Sequence, residues 1–174
     1  AAFALPILQR LVDKPAELQP SNARVLILTP TRELAAQVAS NINDFAKYLD
    51  VTVLTLVGGG KQDVQAKKLK AGAHIIVATP GRLLEYIEKE EFESHDIEVL
   101  VLDEADRMLD MGFIKDVNRI VAEARYRKHT MLFSATLEGA GLEKFANEIL
   151  NEPVQLHAEP PRSERRPITQ WVHL

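Results

Sequence analysis

The sequence predicts an α/β domain, a parallel sheet with helices on both of its faces, and three observations carry that expectation. First, apolar runs of strand type recur at Arg24–Thr29, Val51–Val57, His74–Thr79, Ile97–Asp103, Thr130–Ser134 and Val154–His157. A strand buried on both faces of a parallel sheet reads as such a continuous run. Second, helical periodicity fills the intervals. Leu34, Val38, Ile42, Phe45 and Leu49 fall on one helical face, as do Ile114, Val117, Val121 and Ala124, and then Leu142, Phe145, Ala146 and Ile149. Strands alternating with helices of this length build a parallel sheet, and the stripes are read as its core. Third, the run Val99–Leu102 ends abruptly in Asp103-Glu104-Ala105-Asp106, which places carboxylates at the strand edge where open α/β sheets bind ligands.

The elements follow in order. Ala1–Val12 reads as an amphipathic helix whose beginning lies upstream; Pro6 and the lack of preceding basic residues argue against a signal core. The chain has no initiator methionine, so a longer parent is expected. The strand-type runs and helices then occupy the chain to His157. After it, Ala158–Pro167 is polar and proline-rich, as linkers are. Ile168–Leu174 reads as a new strand that has barely begun. The expected organisation is therefore one domain over 1–157, a linker over 158–167 and the start of a second domain at 168–174.

A chain of 174 residues with 46% hydrophobic and 26% charged residues suits one soluble domain with a full core. The lack of cysteine excludes disulfides and thiolate metal sites and fits a reducing compartment, so a cytoplasmic location is expected. No apolar run is long enough to cross a membrane. The net charge of -4 excludes binding of a polyanion through a broadly basic surface. Backbone amides and a few placed arginines would have to do that work.

Several groups of residues carry chemistry. One carboxylate of the acidic cluster can hold Mg²⁺ on a nucleotide and its neighbour can orient or deprotonate a water. The bland alternative makes Asp103 an N-cap and Glu104 a first-turn acid. Two strand ends echo each other: Thr29-Pro30-Thr31-Arg32 and Thr79-Pro80-Gly81-Arg82. Proline suits the first helical position, whereas arginine in the first turn opposes the helix dipole. Accepting that penalty twice points to an expected anion, held by free N–H groups, a hydroxyl and a guanidinium; the alternative is a good helix start with solvated arginines. Gly58-Gly59-Gly60 allows close approach of a ligand or merely a turn. Ser134-Ala135-Thr136 ends a strand on the same edge and could reach Asp106 or cap a helix. The five histidines lack metal-ligand spacing, and His74 and His129 sit at strand starts as structural residues. Trp171 with Arg165-Arg166 suits base stacking, but the linker and new-strand context favours packing.

In order and spacing, Pro30-Thr-Arg-Glu-Leu34, Gly58-Gly59, Thr79-Pro-Gly-Arg82, Asp103-Glu-Ala-Asp106 and Ser134-Ala-Thr136 resemble the first RecA-like domain of DEAD-box RNA helicases. Asp106–Phe113 resembles the family's continuation of the acidic motif. Arg82–Ile87, Arg125–Lys128 and Phe133–Gly139 look like its bacterial SrmB-type branch. The resemblance implies a RecA-like, P-loop NTPase type sheet and an ATP-dependent RNA helicase with ATP and Mg²⁺ as cofactors. It assigns Asp103 to nucleotide Mg²⁺ and Glu104 to the hydrolytic water. Asp106, Ser134 and Thr136 would couple the ATP and RNA sites, and Pro30, Thr31, Arg32, Gly59, Thr79, Gly81 and Arg82 would line the RNA backbone path. Such a grip reads sugar-phosphate shape without sequence preference. Partners would be RNA and the second RecA-like domain of the same chain, which supplies arginine fingers. Bacterial relatives suggest ribosome biogenesis or RNA turnover.

The family's glycine loop ending Gly-Lys-Thr would lie just upstream of Ala1, together with the adenine-recognition segment. Without that cradle the chain taken alone is expected to be inactive. Two other readings stand beside the helicase: an ATPase-silent RNA-binding module that lacks the phosphate loop, and a DNA translocase of the wider superfamily. The wording of Pro30–Leu34 together with Asp103–Asp106 disfavours the translocase.

Overall fold

The computed structural model describes residues 2–136 and 138–158. Its elements are α1 (Ala4–Asp13), β1 (Val25–Leu28), α2 (Arg32–Phe45), β2 (Val53–Leu56), α3 (Gln62–Lys70), β3 (Ile75–Ala78), α4 (Pro80–Glu88), β4 (Val99–Leu102), α5 (Ala105–Asp110), α6 (Ile114–Glu123), β5 (His129–Leu132) and α7 (Ala140–Ile149). The five strands form one parallel sheet in the order β2-β3-β1-β4-β5. The expected fold class is therefore observed. Among the described residues no helix is long and apolar enough to cross a membrane.

Strand alternation divides the core in two. Leu26, Leu28, Leu54, Leu56, Ile76, Leu100 and Leu102 point to the face covered by α3 to α7. Val25, Ile27, Ile75, Val77, Val99 and Val101 point to the face covered by α1 and α2. Every residue of β1, β3 and β4 is buried, which is why these strands read as unbroken apolar runs. β1 lies between β3 and β4, with Leu28 opposite both Ala78 and Leu102. After β1 the chain turns into α2 on one face; after β4 it turns into α5 on the other. The strand ends therefore part at a topological switch point, where a ligand crevice opens.

The Arg127 guanidinium braces the far side of the molecule. It donates to Thr130 Oγ1 at 2.7 Å, to the carbonyls of Val121 at 3.2 Å and Ala124 at 3.1 Å, and to that of Ile149 at 3.3 Å. It thus satisfies orphan carbonyls at the ends of α6 and α7 and ties both helices to β5.

Two expectations are corrected. Val154–His157 forms no strand, and Val154 and Leu156 are 86% and 84% exposed. Among the described residues β5 is paired on one side only, by β4, and a segment with no ladder partner does not become a strand. Phe45 and Leu49 are not core: α2 ends at Phe45, and its buried face is Ala35, Val38, Ala39 and Ile42, continued by Ala46. That face packs on the sheet, and Phe45, 52% exposed, turns outward. The linker over 158–167 and the second-domain start at 168–174 lie outside the described residues beyond position 158, as do Trp171, Arg165 and Arg166.

Candidate nucleotide and nucleic-acid site

All the motif residues that are described gather at the C-terminal edge of the sheet. Asp103 follows β4 directly, and its N–H donates to the Leu28 carbonyl at 3.0 Å, locking it to the end of β1. Its carboxylate is partly buried, and burial, aided by the neighbouring Glu104 charge, holds its pKa above the ordinary aspartate value. Two adjacent carboxylates pressed together in this way favour a bound cation. Asp103 Oδ1 accepts the Glu104 N–H at 3.1 Å and caps no helix. The N-cap of α5 is Glu104 itself, at φ 53° and ψ 52°, and its side chain makes no cap hydrogen bond. A left-handed glutamate is strained, at a cost of about 1–3 kcal/mol, and such residues cluster at functional sites. The capping alternative for both acids fails on this geometry.

Asp106 lies in the first turn of α5. Thr136 Oγ1 donates to Asp106 Oδ2 at 3.3 Å, which is the expected link between the acidic motif and the segment after β5. Ser134 plays a different part from the one expected: its hydroxyl donates to the Thr136 carbonyl, shaping the turn that presents Thr136. No helix begins until Ala140, so neither hydroxyl is an α-helix cap. The Ala105 N–H donates to the Phe133 carbonyl at 2.9 Å and fastens the two segments together.

The echoed Thr-Pro-x-Arg segments meet across β1 and β3. Pro30, Arg32, Thr79, Gly81 and Arg82 line one open cleft of about 410 Å³. Thr31 does not line it. Its hydroxyl accepts the Leu34 N–H at 3.3 Å as the N-cap of α2, so it serves helix initiation. Thr79, by contrast, makes no side-chain cap bond, which leaves its hydroxyl for the cleft. Pro80 takes the first position of α4, as its fixed φ favours. Gly58 lines the cleft, whereas Gly59 does not. Gly59 has φ +76°, and a Cβ there would sit 2.7 Å from Arg32 Nη1. Glycine adopts that left-handed conformation without strain, whereas a residue with a side chain does not.

Arg82 is the most revealing cleft residue. Its side chain is only 11% exposed, and its nearest anion is Glu85 Oε2, 3.1 Å from Nε. That contact is poorly aligned, and Arg82 Nε and Nη1 have no well-formed acceptor among the described residues. A buried guanidinium with spare donors is expensive unless an acceptor arrives, and a phosphate matches its fork. Glu85 and Phe113 also line the cleft and were not foreseen. Glu85 was legible as an i+3 partner of Arg82, while Phe113 reaches the cleft through the turn at Gly112, whose φ is +78°.

Comparison with known proteins agrees with this geometry. Residues 1–145 match the profile of the DEAD/DEAH box helicase family. The chain belongs to that family. Among curated relatives it is 49% identical over 173 residues to the ATP-dependent RNA helicase SrmB of Haemophilus influenzae and 47% identical to that of Escherichia coli. Each alignment covers 99% of this chain and 39% of the relative, so the chain spans about two-fifths of their length. A solved structure described as a hypothetical ATP-dependent RNA helicase from Sulfolobus tokodaii aligns at 38% identity and TM-score 0.77, covering 87% of this chain and 42% of that one. The yeast DEAD-box splicing factor Prp28 aligns at 33% identity and TM-score 0.79, covering 86% and 37%.

The DEAD/DEAH box site also fits an arriving metal in one specific way. The described residues contain no cluster of three or more His, Asp or Glu side chains that could cage an ion. One half-buried, electrostatically pressed carboxylate suits Mg²⁺ that comes with nucleotide phosphates and keeps several waters.

Proposed function

We propose that this chain is the nucleotide- and RNA-handling first domain of an ATP-dependent RNA helicase, which separates short duplexes as it closes on ATP and RNA. Mg²⁺ entering with ATP would neutralise charge on the phosphates. Asp103 would hold it, and Glu104 would orient or deprotonate the attacking water. Arg32, Arg82, Thr79 and Gly81, with Pro30, would grip sugar-phosphate in the cleft between the β1 and β3 ends. Thr136 on Asp106, backed by Ser134, would pass occupancy of one site to the other. The names of the relatives support the ATP and RNA assignments, and a second RecA-like domain is the expected closing partner.

The observation that carries this reading is the shared edge. The strained acidic pair and the arginine cleft stand at the ends of three neighbouring strands, β3, β1 and β4, so RNA and nucleotide are held by one rigid frame. Nothing in the site favours an ATPase-silent binding module, which would have no use for a left-handed Glu104. The test is steady-state ATP turnover by the full-length protein with no nucleic acid, with single-stranded RNA and with DNA of the same sequence. Strong stimulation by RNA alone is expected. Equal stimulation by DNA would favour a DNA translocase, and no turnover under any condition would favour the silent module.

A further inference from the structure

Three successive glycines, Gly58 to Gly60, follow β2 beside the cleft, and a backbone of that kind has few restraints of its own. Gly58 lines the cleft. Gly59 brings its backbone beside Arg32, where a Cβ would come within 2.7 Å of Nη1. The restraint on this loop comes from α3. Gln65 Nε2 donates to the Val57 carbonyl at 3.0 Å, at the point where β2 passes into the glycines. Gly60 lies against the same amide. A Cβ there would collide with Gln65 Nε2, although Gly60 has no positive φ that would itself call for glycine. The helix that carries Gln65 is fixed in turn. The hydroxyl of Tyr86, a fully buried residue, donates to the Gln62 carbonyl at 3.1 Å. That bond ties the start of α3 to α4, the helix that opens with Pro80, Gly81 and Arg82.

We propose that Gln65 is a positioning residue for RNA binding, a clasp that holds the Gly58–Gly60 loop in its binding conformation beside Arg32. The proposal rests on the reading of the cleft as the RNA grip. Gln65 is not among the residues that line the cleft, so it acts through the loop. Its amide is half satisfied: Oε1 is buried and has no hydrogen-bond partner among the described residues. A buried oxygen in that state offsets much of what the bond to Val57 contributes to stability. What the amide supplies is a fixed place for the loop. Without the clasp the loop samples other conformations, and apparent RNA affinity falls by the fraction of molecules in the competent one. The contacts made once RNA is bound stay the same. Gln65 thus differs from Arg82, whose loss removes a phosphate contact.

The experiment titrates a labelled single-stranded RNA into the full-length protein with Mg²⁺ and a non-hydrolysable ATP analogue at several salt concentrations. RNA-stimulated ATP turnover and thermal melting are measured for each variant. Gln65→Ala keeps a good helix former and removes the clasp. It should weaken RNA binding about two- to ten-fold, the range of one neutral hydrogen bond. The slope of log K against log salt should be unchanged, whereas losing a phosphate contact would flatten it by about 0.7. Turnover at saturating RNA should stay near the parent's while the half-saturating RNA concentration rises by the same factor as the binding loss. The melting temperature should also stay near the parent's. Gly60→Ala should reproduce this pattern, because its methyl group displaces the amide from Val57. The double variant should bind no more weakly than Gln65→Ala, since no amide remains to displace; independent damage would add. Arg82→Ala is the reference for the cleft itself. If Arg82→Ala weakens binding but Gln65→Ala binds like the parent, flattens the salt slope by a full contact or adds to Gly60→Ala, the clasp is refuted while the cleft reading stands. If Arg82→Ala binds like the parent, the cleft reading falls and the clasp with it.

Discussion

Replacing Arg82 by alanine removes a guanidinium that is 11% exposed and whose nearest anion, Glu85, sits 3.1 Å away in poor alignment. Its Nε and Nη1 are buried without a well-formed acceptor, and a phosphate in the cleft would supply one once the side chain turns toward it. A hydrogen bond to a charged group contributes about 1.5–3 kcal/mol, so RNA binding by the full-length, ATP-bound protein should weaken roughly ten- to a hundred-fold. The loss has a second part. Glu85 would remain in the cleft without its partner, facing a polyanion, and like charges repel at this range. Arg82→Ala combined with Glu85→Gln should therefore bind RNA more tightly than Arg82→Ala alone. The signature that a helix-start role would not produce is the salt dependence. Losing one single-strand phosphate contact flattens the slope of log K against log salt by about 0.7. The affinity gap to the parent should then shrink by roughly 2.6-fold between about 50 and 200 mM salt. Fluorescence anisotropy of a labelled oligonucleotide titrated at several salt concentrations reads both quantities, and the effect should be the same for unrelated RNA sequences. An unchanged slope, or no gain from Glu85→Gln, would refute the assignment of the cleft to phosphate.

Other outcomes follow from the same geometry. Thr136→Val removes the donor to Asp106 at 3.3 Å and should leave RNA affinity in the absence of nucleotide near the parent value while reducing RNA stimulation of ATP turnover, which paired binding and turnover assays read. Arg127→Met deletes four hydrogen bonds at the ends of α6, α7 and β5; at about 1 kcal/mol for each bond it should lower stability by roughly 2–4 kcal/mol in chemical denaturation. His74 accepts the Thr52 N–H on Nδ1 at 2.9 Å, and burial holds its pKa below 6.5. Its contribution is therefore present above that value and is lost as pH falls below it. Thermal melts should show stability declining on that side by about 1 kcal/mol, and His74→Asn, which keeps an acceptor but does not titrate, should flatten the decline.

The central strands were legible because burial on both faces leaves nothing polar inside them, so Val25–Leu28, Ile75–Ala78 and Val99–Leu102 could not read as anything else. The terminal segment Val154–His157 has the same texture, yet a strand is made by its neighbour as much as by its residues. The helix stripe through Phe45 and Leu49 fails for a related reason: hydrophobicity is not burial, and α2 packs through Ala35, Val38, Ala39 and Ile42. At the site, the Thr-Pro-x-Arg echo gave the cleft because it fixes both a helix start and a charge within one turn. What it could not give was which hydroxyl stays free. Thr29 and Thr79 are equivalent in the echo, yet the hydroxyl that caps α2 is that of Thr31, where the second segment has Gly81, and the Thr79 hydroxyl makes no cap bond.

The account stands most directly on whether one sheet edge turns ATP hydrolysis into strand separation. A short RNA duplex with one labelled strand, mixed with the full-length protein and Mg²⁺-ATP, reports this as released strand over time, with a DNA duplex of the same sequence alongside. The parent should release the RNA strand only when ATP is present and leave the DNA duplex intact. Glu104→Gln should still bind RNA and ATP but fail to turn over, because the amide keeps the shape of the carboxylate and cannot take a proton. Parent protein that releases RNA without ATP, or Glu104→Gln that hydrolyses ATP within a few-fold of the parent, would contradict the account.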